Sequence, residues 1–306
     1  MIIEKMAADL GLKVPFVASI ARSASHAYKK YWIPKRGGGL REIHHPSKQL
    51  KALQRWFLQY VLPGLPVHSA AMAYRKHRSI LDNAAAHARS KYLLRMDFEE
   101  FFPSIVESDL RAYIEARRKL LFAEWTIPDV NVFCAVVLRQ SRLTIGAPTS
   151  PALSNALCFD LDSALSDLSA THGVTYTRYA DDLFFSITQP DILLALQSEV
   201  EKTVAGLTLP AALTINAAKT RHSSKRRARR VTGIVLGSDQ RAHIGRDLKR
   251  KIRALIHKID TLDPSSRASL AGLLAYAAGF DPDFMNSLII KYGRGPVHKA
   301  RDPRII

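Results

Sequence analysis

The chain has 306 residues and a mass of 34.1 kDa, enough for one large domain or about two packed subdomains, and 47% hydrophobic residues exclude global disorder. Lys and Arg number 45 against 27 Asp and Glu; the resulting net charge of +18 favours a polyanionic partner, either nucleic acid or an anionic membrane surface. Two cysteines, Cys134 and Cys158, sit among apolar neighbours, which excludes a disulfide scaffold, and no CxxC spacing offers a zinc site.

In chain order, residues 1–30 read as short helices with Leu10, Leu12, Val14, Phe16, Val17 and Ile20 as their apolar positions. The opening MIIEKMAADLGL carries acids, unlike a signal peptide. Tyr31 to Ile43 reads as a hairpin around Lys35-Arg36-Gly37-Gly38-Gly39. From Pro46 to Leu62 the residues Leu50, Leu53, Phe57, Leu58 and Val61 recur at helical spacing, and Leu81 to Ala88 is also expected to be helical. Lys91 to Phe98 reads as a strand ending in an acidic cluster, FFPSI as a turn, and Glu107 to Leu120 as a charged helix. A Gly/Pro loop from Leu143 to Pro151 precedes one expected helix from Ala152 to about Ser169. Val174 to Tyr179 and Leu183 to Ile187 are expected strands around the two-residue turn Ala180-Asp181, with further short strands at Leu213 to Ile215 and Val231 to Leu236. Residues 246–259 place Leu248, Ile252, Leu255, Ile256 and Ile259 on one helical face, and residues 293–306 read as a basic, loosely ordered tail. The irregular alternation of strands and helices predicts an α+β fold. No run approaches the ~20 apolar residues of a membrane span, so a cytoplasmic protein is expected.

The charge is segregated. Residues 1–90 hold 15 basic and 4 acidic residues (net +11), residues 91–220 hold 11 and 16 (net −5), and residues 221–306 hold 19 and 7 (net +12). An acidic middle between basic ends suits an enzyme that grips a phosphate backbone with its flanks and holds metal ions at its centre. Asp181-Asp182, adjacent acids between two apolar strands, repel each other and resist burial. Such a turn is tolerable as a plain surface turn or when a cation neutralises it. Asp97, ending the apolar strand YLLRMD, supplies a third carboxylate, and the three together suit a pair of Mg²⁺ ions, which prefer few carboxylates plus water and phosphate. Glu99 and Glu100 are expected to be solvated turn acids.

Tyr179-Ala180-Asp181-Asp182 resembles the YxDD hairpin of reverse transcriptases. MDFEEFFPSI is similar to that family's preceding aspartate motif, GAPTSPALSN to its Gly/Pro/Ser-Pro motif, RGGGLREIHHPSKQLKALQ to its fingers motif, and LTINAAKT to its later Asn/Lys motif. The motifs stand in the family's order over roughly residues 30–260. Asn83-Ala84-Ala85-Ala86-His87 is similar to the NAxxH signature of retron reverse transcriptases, and Val231-Thr232-Gly233 to their VTG signature. Each also has a plain reading: an ordinary helix for the first, a strand followed by a turn for the second.

The resemblance implies a right-hand polymerase: fingers from residues 1–90 and 110–145, a catalytic palm of antiparallel sheet and helices from 91–109 and 146–236, and a helical thumb with its basic tail from 237–306. It implies that Asp97, Asp181 and Asp182 bind two Mg²⁺ ions. Phe102 falls where the family keeps an aromatic steric gate under the nucleotide sugar, unless Phe101 or Phe102 is core. Lys35, Arg36 and Arg41 would clamp the triphosphate of a dNTP, with Lys219 as the family lysine near the centre. Ile145 departs from the family's usual Gln just before Gly146, a position that helps to place the incoming nucleotide. The run Lys225 to Arg230 reads as an RNA-backbone contact, a nuclear-targeting run or a solvated loop. On the first reading Arg226, Arg227, Arg229 and Arg230 touch RNA beside Val231, Thr232 and Gly233, as do Asn83 and His87. The retron resemblance further implies a dedicated structured RNA (msr-msd) as partner, priming of its DNA copy from a guanosine 2′-OH, a branched msDNA product, and a separate effector protein in anti-phage defence, with no membrane partner. The rivals are another bacterial reverse transcriptase class, such as a group II intron protein, and a catalytically silent RNA-binding defence protein of the same fold. The roughly 70 residues after the VTG strand suffice for a thumb but not for a maturase or RNase H domain.

Overall fold

A computed structural model describes residues 1–35, 38–279 and 281–301. Arg36 and Gly37, at the tip of the expected hairpin, and residues 302–306 lie outside the described residues. Nine strands are described: β1 (Tyr28–Pro34), β2 (Leu40–Pro46), β3 (Tyr92–Asp97), β4 (Thr175–Tyr179), β5 (Asp182–Ile187), β6 (Arg221–Ser224), β7 (Arg229–Val231), β8 (Ile234–Leu236) and β9 (Ala242–His243). They form a β1-β2 hairpin, a four-stranded sheet of order β4-β5-β3-β6 and a three-stranded sheet of order β7-β8-β9. With helices between and after them, this is the α+β architecture the patterning predicts. Among the described residues no helix is long and apolar enough to cross a membrane.

The chain divides into two compact units. The first comprises Met1–Lys76, Arg95–Phe184 and Leu194–Arg221. Its N-terminal part packs the helices Ile2–Leu10, Val14–Arg22, Lys48–Tyr60 and Ile127–Val137 together. The apolar stripe of Lys48–Tyr60 buries Leu50, Leu53 and Phe57, whereas Leu58, one position off that stripe, is exposed. Buried polar groups on these helices find partners at long range: Gln54 Nε2 donates to Tyr28 Oη (2.8 Å) and to the Val136 carbonyl (2.9 Å). The helix Ile127–Val137 has no counterpart in the sequence reading; a Thr126–Asp129 capping box and Pro128 in its first turn are the signals that mark its start. FFPSI forms a short helix, Phe101–Ser104, rather than a bare turn. The expected helix 107–120 breaks at Arg117, and the expected helix 152–169 is two, Ser150–Leu157 and Phe159–Thr171.

The second unit comprises His77–Leu94, Phe185–Leu193 and His222–Ile306. The helix Ile80–His87 packs on the β7-β8-β9 sheet. Val231 to Leu236 is not one strand: the chain reverses at Thr232-Gly233, where both residues have positive φ (49° and 87°), the geometry of a tight two-residue hairpin turn. A β-branched residue is costly in that conformation. Here the Thr232 hydroxyl donates to the Ile80 carbonyl (3.3 Å), so the VTG turn is fastened to the helix that carries NAAAH. Helices Arg246–His257, Pro264–Ala278, Pro282–Tyr292 and Arg294–Arg301 share a core that includes Ile252, Ile256, Leu270, Leu274, Phe284 and Leu288. The last helix corrects the expectation of a loose tail. Val297 and Ala300, three apart, both enter that core, and two apolar positions are too few to stand out in a basic sequence.

Candidate active site

β3 is buried on both faces. Leu94 and Met96 are buried on one face; Leu93, Arg95 and Asp97 occupy the other. Asp97 ends the strand and is itself 4% exposed. Backbone bonds then tie its surroundings to two other motifs. Phe98 N donates to the Asp181 carbonyl (3.0 Å), Asn216 N to the Asp97 carbonyl (2.7 Å), and Glu99 N to the Thr214 carbonyl (2.9 Å). The expected strand Leu213 to Ile215 is therefore an extended segment with one antiparallel bridge, Phe98 to Ile215.

The β4-β5 turn is held from below. Arg178 is fully buried and its guanidinium meets Asp162 in a paired contact, Nε to Oδ1 at 2.8 Å and Nη2 to Oδ2 at 2.6 Å. Tyr176 Oη donates to the same Oδ1 (2.8 Å). The remaining Arg178 Nη1 donates to the carbonyl of Ala180 (3.2 Å), a residue with φ 59°. The ion pair thus grips the strained residue of the turn and presents Asp181 and Asp182 at its rim. Burial raises the Asp181 carboxyl above the usual carboxylate range; neighbouring Asp97 adds to this, while Lys219 and Arg41 oppose it. Burial pushes Asp182 up to about 6, against the pull of Arg95, with Asp181 and Asp97 again raising it.

Two internal cations answer this concentration of negative charge. Lys219 Nζ lies 2.6 Å from Asp97 Oδ1, and Arg95 Nη2 lies 2.7 Å from Asp182 Oδ1. Lys219 arrives there because Asn216 caps a 3₁₀ turn, Ala217–Lys219, its Oδ1 accepting from Lys219 N (3.2 Å). Among the described residues no three His, Cys, Asp or Glu side chains stand in a ready-made metal arrangement. The donor set nevertheless fits a hard divalent cation: it is all carboxylate oxygen, partly buried and self-repelling, and two of its members already hold a cationic group.

GAPTSPALSN works as a brace. The His44 N–H of β2 donates to the Ile145 carbonyl (2.8 Å), and His44 Nδ1 lies 2.8 Å from Thr144 Oγ1. Gly146 has φ 112°, and a Cβ there would stand 2.5 Å from the His44 carbonyl oxygen, so only glycine lets the loop approach the hairpin so closely. Ile145 contributes its backbone to this contact. Further along, Asn155 Nδ2 donates to the Ala73 carbonyl (2.8 Å). Of the two phenylalanines, Phe101 is buried in stacked contact with Phe98, while Phe102 is only partly buried and faces Tyr74, ring centroids 6.4 Å apart. Arg41 and Lys35 are exposed on the hairpin, and Arg41 lies close enough for its charge to act on Asp181 and Tyr74. Glu99 and Glu100 are exposed.

The expected RNA-binding residues separate into two groups. Arg226, Arg227 and Arg230 are exposed and line a cavity of about 750 Å³ together with Lys225, Arg246 and Lys249. Arg229 is buried; its guanidinium donates to the carbonyls of Ser90, Leu236 and Gly237. Val231, Asn83 and His87 are fully buried as well. The side chains of Arg229, Val231, Asn83 and His87, expected on the RNA-contacting surface, are instead buried inside the fold. β-Strand alternation turns Arg229 and Val231 inward and Arg230 outward, and the inward face of Ile80–His87 carries Asn83 and His87. Thr232 and Gly233 form the turn itself.

Sequence reasoning missed Arg95, Asp162, Arg178 and Tyr74. Signals existed for two of them: Arg95 shares Asp97's strand parity, and Arg178 sits at an inward position of TYTRY, where a guanidinium requires a carboxylate partner. Nothing local marks Asp162 or Tyr74.

Residues 33–236 match the reverse transcriptase (RNA-dependent DNA polymerase) family. The chain is 34% identical to the retron Ec83 reverse transcriptase of Escherichia coli over 288 residues, covering 92% of this chain and 91% of that protein. It is 35% identical to the retron Mx162 reverse transcriptase of Myxococcus xanthus, covering 91% of this chain and 64% of that protein. In fold it is similar to a foamy viral protease-reverse transcriptase in complex with double-stranded DNA (TM-score 0.51, 18% identity, 90% of this chain and 43% of that one). It is also similar to apo telomerase from Candida tropicalis (TM-score 0.52, 12% identity, 93% of this chain and 63% of that one). The ordered motifs, the carboxylate cluster that they assemble and these likenesses have one account: the chain belongs to the reverse transcriptase family, has its right-hand polymerase fold, and is an RNA-directed DNA polymerase of the retron type.

Proposed function

We propose that Asp97, Asp181 and Asp182 are the catalytic carboxylates and that they hold two Mg²⁺ ions. The observation that carries this is that three carboxylates from two motifs come close enough for Asp97 to raise the pKa of Asp181 and for both to raise that of Asp182, and that two of the three are paired with the cations Lys219 and Arg95. Bound there, the ions would favour ionisation of the attacking hydroxyl and offset charge on the departing pyrophosphate. The chain's own side chains do the rest. Arg41, with Lys35 and Arg36, binds the triphosphate of the incoming dNTP; Phe102 walls its sugar and excludes a 2′-OH. Lys219 keeps positive charge beside the reacting phosphate. A hydroxyl of the nucleic acid attacks the α-phosphorus, a new P–O bond forms, and the bond to pyrophosphate breaks.

In this reading residues 1–90 and 110–145 are fingers, residues 91–109 and 146–236 palm, and residues 237–306 thumb. The self-contained helical core from Ile244 to Ala300 supports the last assignment. The cationic cavity of Arg226, Arg227 and Arg230 takes the phosphate backbone of a structured msr-msd RNA. Synthesis begins from a guanosine 2′-OH of that RNA and yields a branched msDNA, in a cytoplasmic anti-phage system with a separate effector. The test uses nucleic acid that co-purifies with the chain from its host, supplied with Mg²⁺ and labelled dNTPs. The expected product is DNA carrying an RNA stub that debranching enzyme removes. Equal product from the Asp181→Ala, Asp182→Ala double variant would overturn the site. DNA without a debranching-sensitive stub would overturn the priming.

A further inference from the structure

Tyr74 sits on a loop with more fastening than a surface connection needs. The strand-like bonds Arg178 N to the Ala70 carbonyl (2.8 Å) and Met72 N to the Arg178 carbonyl (2.8 Å) join the loop to β4, the strand that leads into the catalytic turn. Asn155 of the SPALSN segment holds the Ala73 carbonyl. Arg75 Nη1 donates to three carbonyls of the same loop, those of His68, Ser69 and Ala71, at 3.1–3.2 Å. Within this frame Tyr74 has φ 61°, a conformation that is costly for a bulky residue and persists only when its surroundings impose it. What the strain achieves is placement. The Tyr74 ring stands half exposed beside Phe102, and its phenol is close enough to Asp181, Tyr179 and Arg41 to feel their charges.

The Tyr74 ring is thus held half exposed against Phe102 and near the carboxylates by the loop's backbone rather than by a core around it. We propose that Tyr74 positions the incoming deoxynucleotide: its ring is the second wall of the slot whose first wall is Phe102. This rests on the reading of Phe102 as the sugar-side wall. With Tyr74 in place Phe102 cannot swing away from the sugar, so the pair, rather than Phe102 alone, sets the preference for dNTP over NTP.

Single-nucleotide addition on a primed RNA template is measured with a dNTP and with the matching NTP. Tyr74→Asn is the main variant, because Asn accepts positive φ and lacks the ring. Its dNTP KM is expected to rise about three- to tenfold, the worth of one aromatic contact, with a smaller change in kcat and a dNTP:NTP preference lowered to a similar degree. Its thermal midpoint is expected to stay level or rise as the strain is relieved. Tyr74→Phe restores KM and preference to within about twofold, since the ring and not the hydroxyl does the work. Unchanged KM and preference in Tyr74→Asn would overturn the proposal. Loss of folding in that variant would also overturn it, because it would make the ring a packing element. Phe102→Ala separates the underlying reading: if that change leaves the preference intact, Phe102 is not the sugar wall, and Tyr74 is then judged on KM alone.

Discussion

Single residues carry this protein's chemistry through their neighbours. Asp97 and Asp182 are legible as strand-end carboxylates, but their partners Lys219 and Arg95 come from elsewhere in the chain, Lys219 being 122 positions from Asp97. The same contrast holds for His87. The NAAAH pattern marks it as special, yet burial, not ligand contact, defines its state. Its pKa is pushed from 6.5 down to about 3 by desolvation, with Nδ1 2.7 Å from Ser186 Oγ. The native imidazole is therefore neutral, while the unfolded chain takes up a proton below about pH 6.5. Protons thus favour unfolding: the contribution is fully present above pH 6.5 and is lost progressively as pH falls toward 3. Urea unfolding between pH 7 and pH 5 is expected to show falling stability on acidification, with a shallower slope in His87→Gln. An equal slope in both chains would mean that another group is responsible.

At the scale of elements, periodicity located the helices Lys48–Tyr60, Ile80–His87 and Arg246–His257 and the strands β1 to β5, but set no bounds for the helices Ile127–Val137, Ile192–Ala205, Pro264–Ala278 and Pro282–Tyr292. The Thr232-Gly233 turn and the Arg294–Arg301 helix are settled by contacts made outside the element, the first by the Thr232 hydroxyl on the Ile80 carbonyl and the second by Val297 and Ala300 in the helical core. The brace between the 143–155 loop and β2 is the element-level feature most open to test. Gly146→Ala puts a Cβ within 2.5 Å of the His44 carbonyl at a φ of 112°. Because the obstacle is backbone, it cannot rotate away. A loss of about 2–3 kcal/mol in unfolding free energy is expected, and because the loop also seats the hairpin that carries Arg41, a higher KM for dNTP. A variant that melts with the unmodified chain would show that the loop has room to retreat.

For the whole molecule, charge is the descriptor that matters. The excess of +18 includes the cluster of Lys225, Arg226, Arg227, Arg230, Arg246 and Lys249 around one cavity, whereas Arg229 in the same run is spent on internal carbonyls. RNA affinity should therefore fall steeply with salt. Replacing Arg226, Arg227 and Arg230 together by Ala is expected to reduce the slope of log K against log salt by about 2, at ~0.7–0.9 per lost phosphate contact, without lowering the melting temperature. Arg229→Ala is expected to do the reverse, destabilising the fold and leaving unmatched carbonyls, with the slope unchanged in whatever remains folded. Identical salt slopes in the triple variant and the unmodified chain would remove the cavity from the RNA interface.

The sequence by itself determined the family and the reaction and singled out three carboxylates as candidates, because those depend on residue types in a fixed order along the chain. Only the tertiary structure decided which of the flagged residues are exposed and which are buried. Phe102 is only partly buried whereas Phe101 is buried, Arg226, Arg227 and Arg230 are exposed, and Arg229, Val231, Asn83 and His87 are turned inward. It also brought in Arg178, Asp162 and Tyr74, none of which lies in a motif by itself. The reason is physical. A motif specifies chemistry through identity and spacing, whereas burial, ion pairing and strain depend on what distant segments place against a residue.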